Sequence, residues 1–346
     1  MKYNNVYVEA IGYELPPNVV TSAALEARIL PLYEKLRLPP GQLAFLTGIR
    51  ERRWWDPGFK LSDGAVAAAE KALDEAGVPV EHLGAVVYGG VCRENHEPAT
   101  ACAVADRLGV PSTAVVYDLS NACLGVLSGM LAVANMIELG QIKAGLVVSC
   151  ETAREINDIM IAEMLRELDM EHFKLSLATL TGGSGAVAVV LSDGSYGARP
   201  HKLLGGAIRT APEFHTLCRW GADRKAVPTA PEVMETDAVA VLKNGVALGA
   251  ETWAAFLAEM GWGAGDLDRV ICHQVGAANR SAILSTFGVP EEKDFSTFEF
   301  LGNIGTVSVP ITAAIAHERE VLVPGDRVGF LGIGSGLNCL MLGLEW

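Results

Sequence analysis

Residues 114–125 read Ala114-Val115-Val116-Tyr117-Asp118-Leu119-Ser120-Asn121-Ala122-Cys123-Leu124-Gly125. A β-rich apolar run ends at Leu119, Ser120-Asn121 interrupts it, and a second apolar stretch opens at Ala122. The first run reads as a strand. The second, Ala122–Ile137, reads as a helix of sixteen residues whose polar members include only Ser128 and Asn135. A membrane span needs about 20 such residues, whereas a helix apolar on every side belongs inside a large core. The stretch therefore predicts a strand that feeds a deeply buried helix.

Outward from it the same rhythm recurs. Val6–Gly12, Ala85–Gly89, Ala144–Ser149 and Gly185–Leu191 read as strands. Ser62–Ala76 reads as a helix, with Ser62 or Asp63 as its cap and Gly77 as its stop. Alternation of this kind predicts an α/β protein whose parallel or mixed sheet is covered by helices on both faces. The second half repeats the theme, with strands at Leu203–Ile208, Arg269–His273, Val328–Ile333 and Asn338–Glu345. Its helices are Asp237–Met260, Ala277–Phe287 and Pro310–Glu320. We read a duplicated α/β unit, residues 1–195 and 196–346, joined near residues 192–201 where Ser192-Asp193-Gly194-Ser195 marks a turn. Glu151–Leu180 reads as a helical insertion over the first half.

Half of the 346 residues are apolar and a fifth are charged, which excludes a disordered, collagenous or coiled-coil chain. With 41 acids against 27 bases the net charge is −14, and the only dense basic stretch is Arg50, Arg52 and Arg53, so no nucleic-acid partner is expected. Seven irregularly spaced cysteines in so core-rich a chain point to a reducing compartment rather than a disulfide framework. Met1–Asn5 begins no signal peptide and no stretch is long enough to be a membrane span, so the expected location is the cytoplasm.

Three polar residues follow strands and could act together. Cys123 stands where a helix begins, and the positive end of a helix favours the nucleophilic thiolate. Read alone, it is equally one more buried small hydrophobe. His273 closes an apolar strand and precedes a helix, and Asn303 sits between Gly302 and Ile304-Gly305. In open α/β sheets ligands collect at the carboxyl ends of strands. Other motifs fail. Gly332-Ile333-Gly334-Ser335-Gly336 has only ten residues after it, too few for a dinucleotide-binding unit. No P-loop, CxxC, HExxH or metal-ligand spacing occurs, so no metal is expected, and Ser335 lacks the GxSxG context of a hydrolase. The order Cys, His, Asn also suits papain-like proteases, but the Cys-Gly-Ser-Cys-Trp context is absent.

Taken together, Thr47-Gly48-Ile49-Arg50-Glu51-Arg52-Arg53, Asn121-Ala122-Cys123, His273-Gln274, Gly302-Asn303 and Gly334-Ser335-Gly336 resemble ketoacyl-synthase III-type enzymes of the thiolase superfamily. The motifs span nearly the whole chain in order. Cys92-Arg93-Glu94-Asn95-His96-Glu97-Pro98, Gly302-Asn303-Ile304-Gly305 and Leu331–Cys339 are closest to the branch that joins two long-chain acyl-CoA molecules head to head. Ordinary ketoacyl synthases III have Thr-Ser where this chain has Ile304-Gly305. They also often clamp CoA with an aromatic and an arginine where this chain has Gln42 and Leu46.

The resemblance implies a thiolase-like five-layer αβαβα fold, a homodimer, and an acyltransferase that works through an acyl-cysteine at Cys123. It implies coenzyme A thioesters as substrates and no separate cofactor. The backbone N–H groups of Cys123 and Ser335 would form the oxyanion hole, and His273 and Asn303 would hold the thioester oxygen of the second acyl-CoA. Condensing two plain acyl-CoAs requires removal of an α-proton. The resemblance gives that role to Glu97, on a loop that reaches the partner subunit's site. Downstream enzymes of an olefin pathway would take the product. The alternative is a 3-oxoacyl-ACP synthase III that uses malonyl-ACP in fatty acid biosynthesis and needs no such base. Two acyl chains need two apolar tunnels, and the insertion with Met160, Met164 and Met170 is expected to line one of them.

Overall fold

The structure is a computed structural model that describes residues 1–197, 201–222 and 232–346. The first half opens with β1 (Tyr7–Glu14), a two-stranded ribbon of β2 (Asn18–Thr21) and β3 (Glu51–Trp54), and between them α1 (Ser22–Arg28), α2 (Leu30–Leu36) and α3 (Gln42–Thr47). It continues through α4 (Leu61–Ala76), β4 (Leu83–Gly89), α5 (Thr100–Leu108), β5 (Val115–Leu119), α6 (Gly125–Glu138) and β6 (Ala144–Glu151). The insertion forms α7 (Arg154–Glu167) and α8 (Met170–Ser176) before β7 (Gly185–Ser192).

The second half contains β8 (His201–Thr210), a hairpin of β9 (Cys218–Ala222) and β10 (Glu232–Thr236), α9 (Ala238–Met260), β11 (Arg269–Cys272) and α10 (Ala277–Phe287). It ends with α11 (Phe298–Leu301), α12 (Ser308–Glu318), β12 (Arg327–Gly334) and β13 (Asn338–Glu345).

The duplication shows in the pairing. In the first half β1 pairs β7 and β7 pairs β6, both antiparallel, and β6 pairs β4 in parallel, with β5 parallel at the edge. In the second half β8, β13, β12 and β11 follow the same antiparallel, antiparallel, parallel order. A single parallel bridge, Val270 to Asp294, stands where the first half has β5. Tyr7 and Val8 pair with Lys202 and His201, so the two half-sheets run together through β1 and β8.

Period-2 alternation sorts the side chains into layers. On β4, Ala85 and Val87 face the central core, whereas Val86 and Tyr88 face an outer layer with α4 and α5. Val187, Val189 and Leu191 of β7 face inward, and Ala186, Ala188 and Val190 outward. The central core contains Val126, Met130 and Val133 of α6, Ile311 and Ile315 of α12, and the inner faces of both half-sheets. Trp253 and Phe256 of α9 and Phe287 of α10 cover the far side. The order is therefore α, β, α, β, α, with the helix after Cys123 and the helix after Asn303 side by side in the middle.

Some local readings change. Glu94, not Ser62 or Asp63, caps α4: its carboxylate accepts from the Ser62 N–H and hydroxyl, both at 2.7 Å. The α6 helix starts at Gly125, after a tight turn over Ala122–Leu124. Residues 198–200, within the expected join, lie outside the described residues.

One close approach fixes the start of α6. A Cβ on Gly125 would lie 2.8 Å from the Gly89 carbonyl carbon and from the Gly90 nitrogen, and one on Gly89 would lie 2.5 Å from the Gly125 oxygen. Backbone meets backbone, so no side chain can swing aside. Gly125→Val is expected to cost about 1–3 kcal/mol of stability or more through overpacking, read as a lowered thermal midpoint. An unchanged midpoint would show that β4 and α6 can separate here.

Candidate active site

Cys123 sits at the middle of the Ala122–Leu124 turn, and Ala122 takes the left-handed conformation at φ 46°. That turn lifts the sulfur out of the strand-to-helix connection and is itself tied down from both halves. Asn121 accepts from the Asn338 amide at 3.0 Å and donates to Ser128 at 2.9 Å. The Thr306 hydroxyl accepts the Val126 N–H, in the first turn of α6, at 2.7 Å. A Cβ on Gly334 would lie 3.3 Å from the Cys123 nitrogen, so the last residue of β12 lies against the turn.

Two cavities meet at the sulfur. One, of about 270 Å³, runs under Ile156 and Asn157 of α7. The other, of about 370 Å³, runs past Leu242 and Val246 of α9 to Leu46 and Val239. Cys123, Thr181, Met234, Asn303 and Ser335 line both, and His273 lines the larger. Cys123, His273, Asn303 and Ser335, which stand in four separate stretches of sequence, thus share one lined space.

Two of these groups turn a side-chain nitrogen to the cavity. The Asn303 Oδ1 accepts the Gly305 N–H at 3.1 Å, which leaves the Nδ2 hydrogens for the cavity. Its backbone N–H donates to the Thr181 oxygen, and its carbonyl accepts from Gly183, both at 2.9 Å. The His273 Nδ1 lies 2.6 Å from the Ser308 hydroxyl, which leaves Nε2 for the cavity. A hydroxyl can donate or accept, so Ser308 supports either tautomer. Burial lowers the His273 pKa to about 4, so the ring is neutral near pH 7.

The sulfur differs from the sequence expectation. Burial, then Cys218 and Glu151, push the Cys123 thiol up to about 12, although the side chain keeps partial access through the cavities. The helix end that was expected to favour a thiolate begins two residues later, and one of its N–H groups is spent on Thr306. At rest Cys123 is therefore a neutral thiol.

Known proteins share this chain's sequence and fold. Residues 59–188 match the thiolase N-terminal domain, and residues 257–346 match the C-terminal domain of 3-oxoacyl-[acyl-carrier-protein] synthase III. The chain is 58% identical to the acyl-CoA:acyl-CoA alkyltransferase of Shewanella oneidensis, over 100% of both chains. The chain belongs to the acyl-CoA:acyl-CoA alkyltransferase family. It overlays on the solved Xanthomonas campestris OleA with bound lauric acid and lauroyl-CoA at a TM-score of 0.93 and 34% identity, covering 99% of this chain and 100% of that one. A Streptomyces coelicolor β-ketoacyl-[acyl-carrier-protein] synthase III is 28% identical over 97% of this chain and 96% of its own. Other structures of the Xanthomonas enzyme carry substitutions of a cysteine, of a histidine, and of a glutamate that precedes the cysteine by as many residues as Glu97 precedes Cys123.

In this member of the alkyltransferase family Glu97 lies outside its own chain's cavities, exposed on the loop between β4 and α5. The carboxyl group inside is Glu151, buried at the end of β6, which the sequence reading passed over. Its signal was available: it is the first charged residue after the apolar run of a strand. The expected methionine lining is also revised. Met164 is buried in a separate core with Leu25 and Phe173, Met160 accepts the Met234 N–H through its sulfur, and Met170 is partly exposed. Met234 of β10 faces the cavities instead. Leu46 lines the mouth of the larger cavity, whereas Gln42 is absent from its wall.

A protonated Cys123 gives a pH signature. Its alkylation by iodoacetamide, followed on its own peptide by mass spectrometry, should rise by about tenfold per pH unit from pH 7 to 10. A rate already level at pH 7 would mean that the thiolate is the resting form.

Proposed function

We propose that this protein condenses two fatty acyl-CoA molecules head to head, without decarboxylation, to a 2-alkyl-3-oxoacyl product. The observation that carries this reading is the pair of apolar cavities that meet at Cys123, one for each acyl chain. Both lie near or within the lower part of the roughly 300–1,000 Å³ range of small-molecule sites. A synthase that takes a malonyl group has no use for a second long apolar space.

In the first step the Cys123 thiol adds to the thioester carbonyl as its proton passes to the neutral His273 Nε2. The backbone N–H groups of Cys123 and Ser335 receive the oxyanion, and the departing CoA thiolate takes the proton back from the ring. In the second step His273 takes its other neutral tautomer, with Nδ1 accepting from the Ser308 hydroxyl, and the thioester oxygen of another acyl-CoA rests against its Nε2–H and the Asn303 amide N–H. Glu97 of the partner subunit takes its α-proton, and the enolate carbon attacks the acyl-Cys123 carbonyl. The sulfur leaves and is reprotonated by the carboxylic acid just formed. Loss of one pre-aimed donor such as the Asn303 amide typically costs about 2.7–4 kcal/mol of transition-state stabilisation.

A homodimer is part of this reading, because Glu97 cannot serve its own cavity. Two features support it. β5 is an edge strand whose Val115 is exposed and whose Val116, Tyr117 and Leu119 are only half covered, the kind of edge that invites a second chain. The Glu97 loop is fastened to that strand, since Asp118 accepts the N–H groups of Thr100 and Ala101 at 2.9 Å. The β-keto product calls for downstream enzymes that consume it. No described helix is long and apolar enough to cross a membrane, and we place the enzyme in the cytoplasm.

One acyl-CoA supplied alone should yield a β-keto acid or its ketone, detected by mass spectrometry. Strict dependence on malonyl-ACP would return the protein to the 3-oxoacyl-ACP synthase III reading. The shared site has its own test. Glu97→Gln and Cys123→Ala homodimers should each fail to condense, but mixed dimers of the two should recover activity at one site. Absence of recovery in verified heterodimers would place Glu97 in its own subunit's chemistry.

A further inference from the structure

One ionisable side chain on the cavity wall has no part in the steps above. Glu151 ends β6, is only 5% exposed, and lines the smaller cavity together with Cys123. Its Oε1 accepts the Val91 N–H at 2.9 Å and its Oε2 accepts the Cys92 N–H at 3.2 Å. Val91 and Cys92 form the root of the loop that carries Glu97. The carboxyl also packs on the far side of the site, where a Cβ on Gly305 would lie 3.5 and 3.6 Å from its Cγ and Cδ. Gly305 is the residue whose N–H holds the Asn303 amide.

Three carboxylates fasten the Glu97 loop: Glu151 at its root, Glu94 in its middle through Ser62, and Asp118 at its end through Thr100 and Ala101. Only Glu151 also faces the acyl cavity. A buried carboxylate is expensive in free energy unless its oxygens are satisfied, and here backbone N–H groups of the loop satisfy them. A core residue would stabilise the fold better at this position if nothing but packing were required.

The geometry points to Glu151 as a positioning residue that joins the acyl cavity of one subunit to the Glu97 loop serving the other. An acyl chain entering the smaller cavity presses on the group that holds the loop, so the state of one sulfur bears on how the partner's site is completed. This rests on Glu97 acting as the base across the dimer. Because its side-chain hydrogen bonds go to the loop root and its other contact is Gly305, behind the Asn303 amide that serves the second step, loss of Glu151 should spare acylation and damage carbon–carbon bond formation.

The test uses full-length protein as wild type, Glu97→Gln, Glu151→Gln and the double variant, with lauroyl-CoA as sole substrate. In Glu151→Gln an amide NH2 replaces one acceptor oxygen and opposes a backbone N–H. Acylation of Cys123 in a single turnover should stay within about threefold of wild type, while kcat for condensation falls by about 10- to 100-fold with little change in KM. Hydrogen exchange of the peptide containing Val91 and Cys92 should rise. The double variant should be no slower than Glu97→Gln alone, because a misplaced loop does no harm once its acid is gone. Equal loss in acylation and condensation, or multiplied losses in the double variant, would make Glu151 merely structural. If Glu97→Gln stalls and Glu151→Gln behaves as wild type, this inference falls and the base assignment stands. If Glu97→Gln itself condenses normally, both fall. Glu151→Asp, which keeps the charge but cannot reach both N–H groups, should show the same split between the two steps and replaces Glu151→Gln should that variant not fold.

Discussion

The hydrogen bond from the Val126 N–H to the Thr306 hydroxyl ties the two halves of the molecule together where it matters most. Val126 lies in the first turn of the helix behind Cys123, and Thr306 belongs to the loop that carries Asn303. The two half-sheets bury α6 and α12 between them, so a shift of either helix would move Cys123 against Asn303. Bonds of this kind inside a dry core are worth more than on a surface, and leaving one partner buried and unpaired costs about 1–3 kcal/mol. Gly334 against the Cys123 nitrogen and the Asn121–Asn338 pair close the same seam from β12 and β13. The site is thus a property of the duplication, with each half supplying what the other lacks.

Near neutral pH the thiol, the imidazole and the amide where the two cavities meet are all uncharged. The thiol is held protonated, the imidazole is held neutral, and an amide completes the set. This suits chemistry in which negative charge appears only briefly, first on a thioester oxygen and then on an enolate. Fixed N–H dipoles stabilise such charge without solvent reorganisation, whereas a permanent charge in the same space would have to be desolvated for every acyl chain that enters. The one carboxylate on the wall of that space is tied down by backbone N–H groups. Glu151 is fully hydrogen-bonded at the wall, and Glu97 lies outside on its loop, to be supplied by the partner in the reading advanced here.

Much of the fold was legible because the core helices and strands are long and strongly patterned. The run from Ala114 to Ile137 gave both the strand and the central helix, and the repeat of strand and helix gave the two halves. Residues 18–54 were not legible: their three short helices and small ribbon bury only a few side chains each, such as Leu25, Leu32 and Leu43, with too little periodicity to declare themselves. Cys123, His273 and Asn303 could be singled out because each interrupts a conspicuous pattern. That they share a space with Ser335 required contacts between residues 123 and 335, which no local pattern encodes. The ionisation of Cys123 was misread for the same reason, since burial by distant elements outweighs the local helix end. Glu151 was passed over because a lone acid after a strand is common, and its bonds to Val91 and Cys92 belong to a neighbouring strand's loop.

The claim on which this account stands is that Cys123 alone among the seven cysteines carries the acyl group. Peptide mapping of the Glu97→Gln protein after exposure to lauroyl-CoA tests it most directly, because acylation should proceed there and condensation should not. The account predicts one lauroyl group per chain, attached to the Cys123 sulfur. An adduct on a different cysteine, or a chain that remains unmodified while product still forms in the wild type, would contradict it.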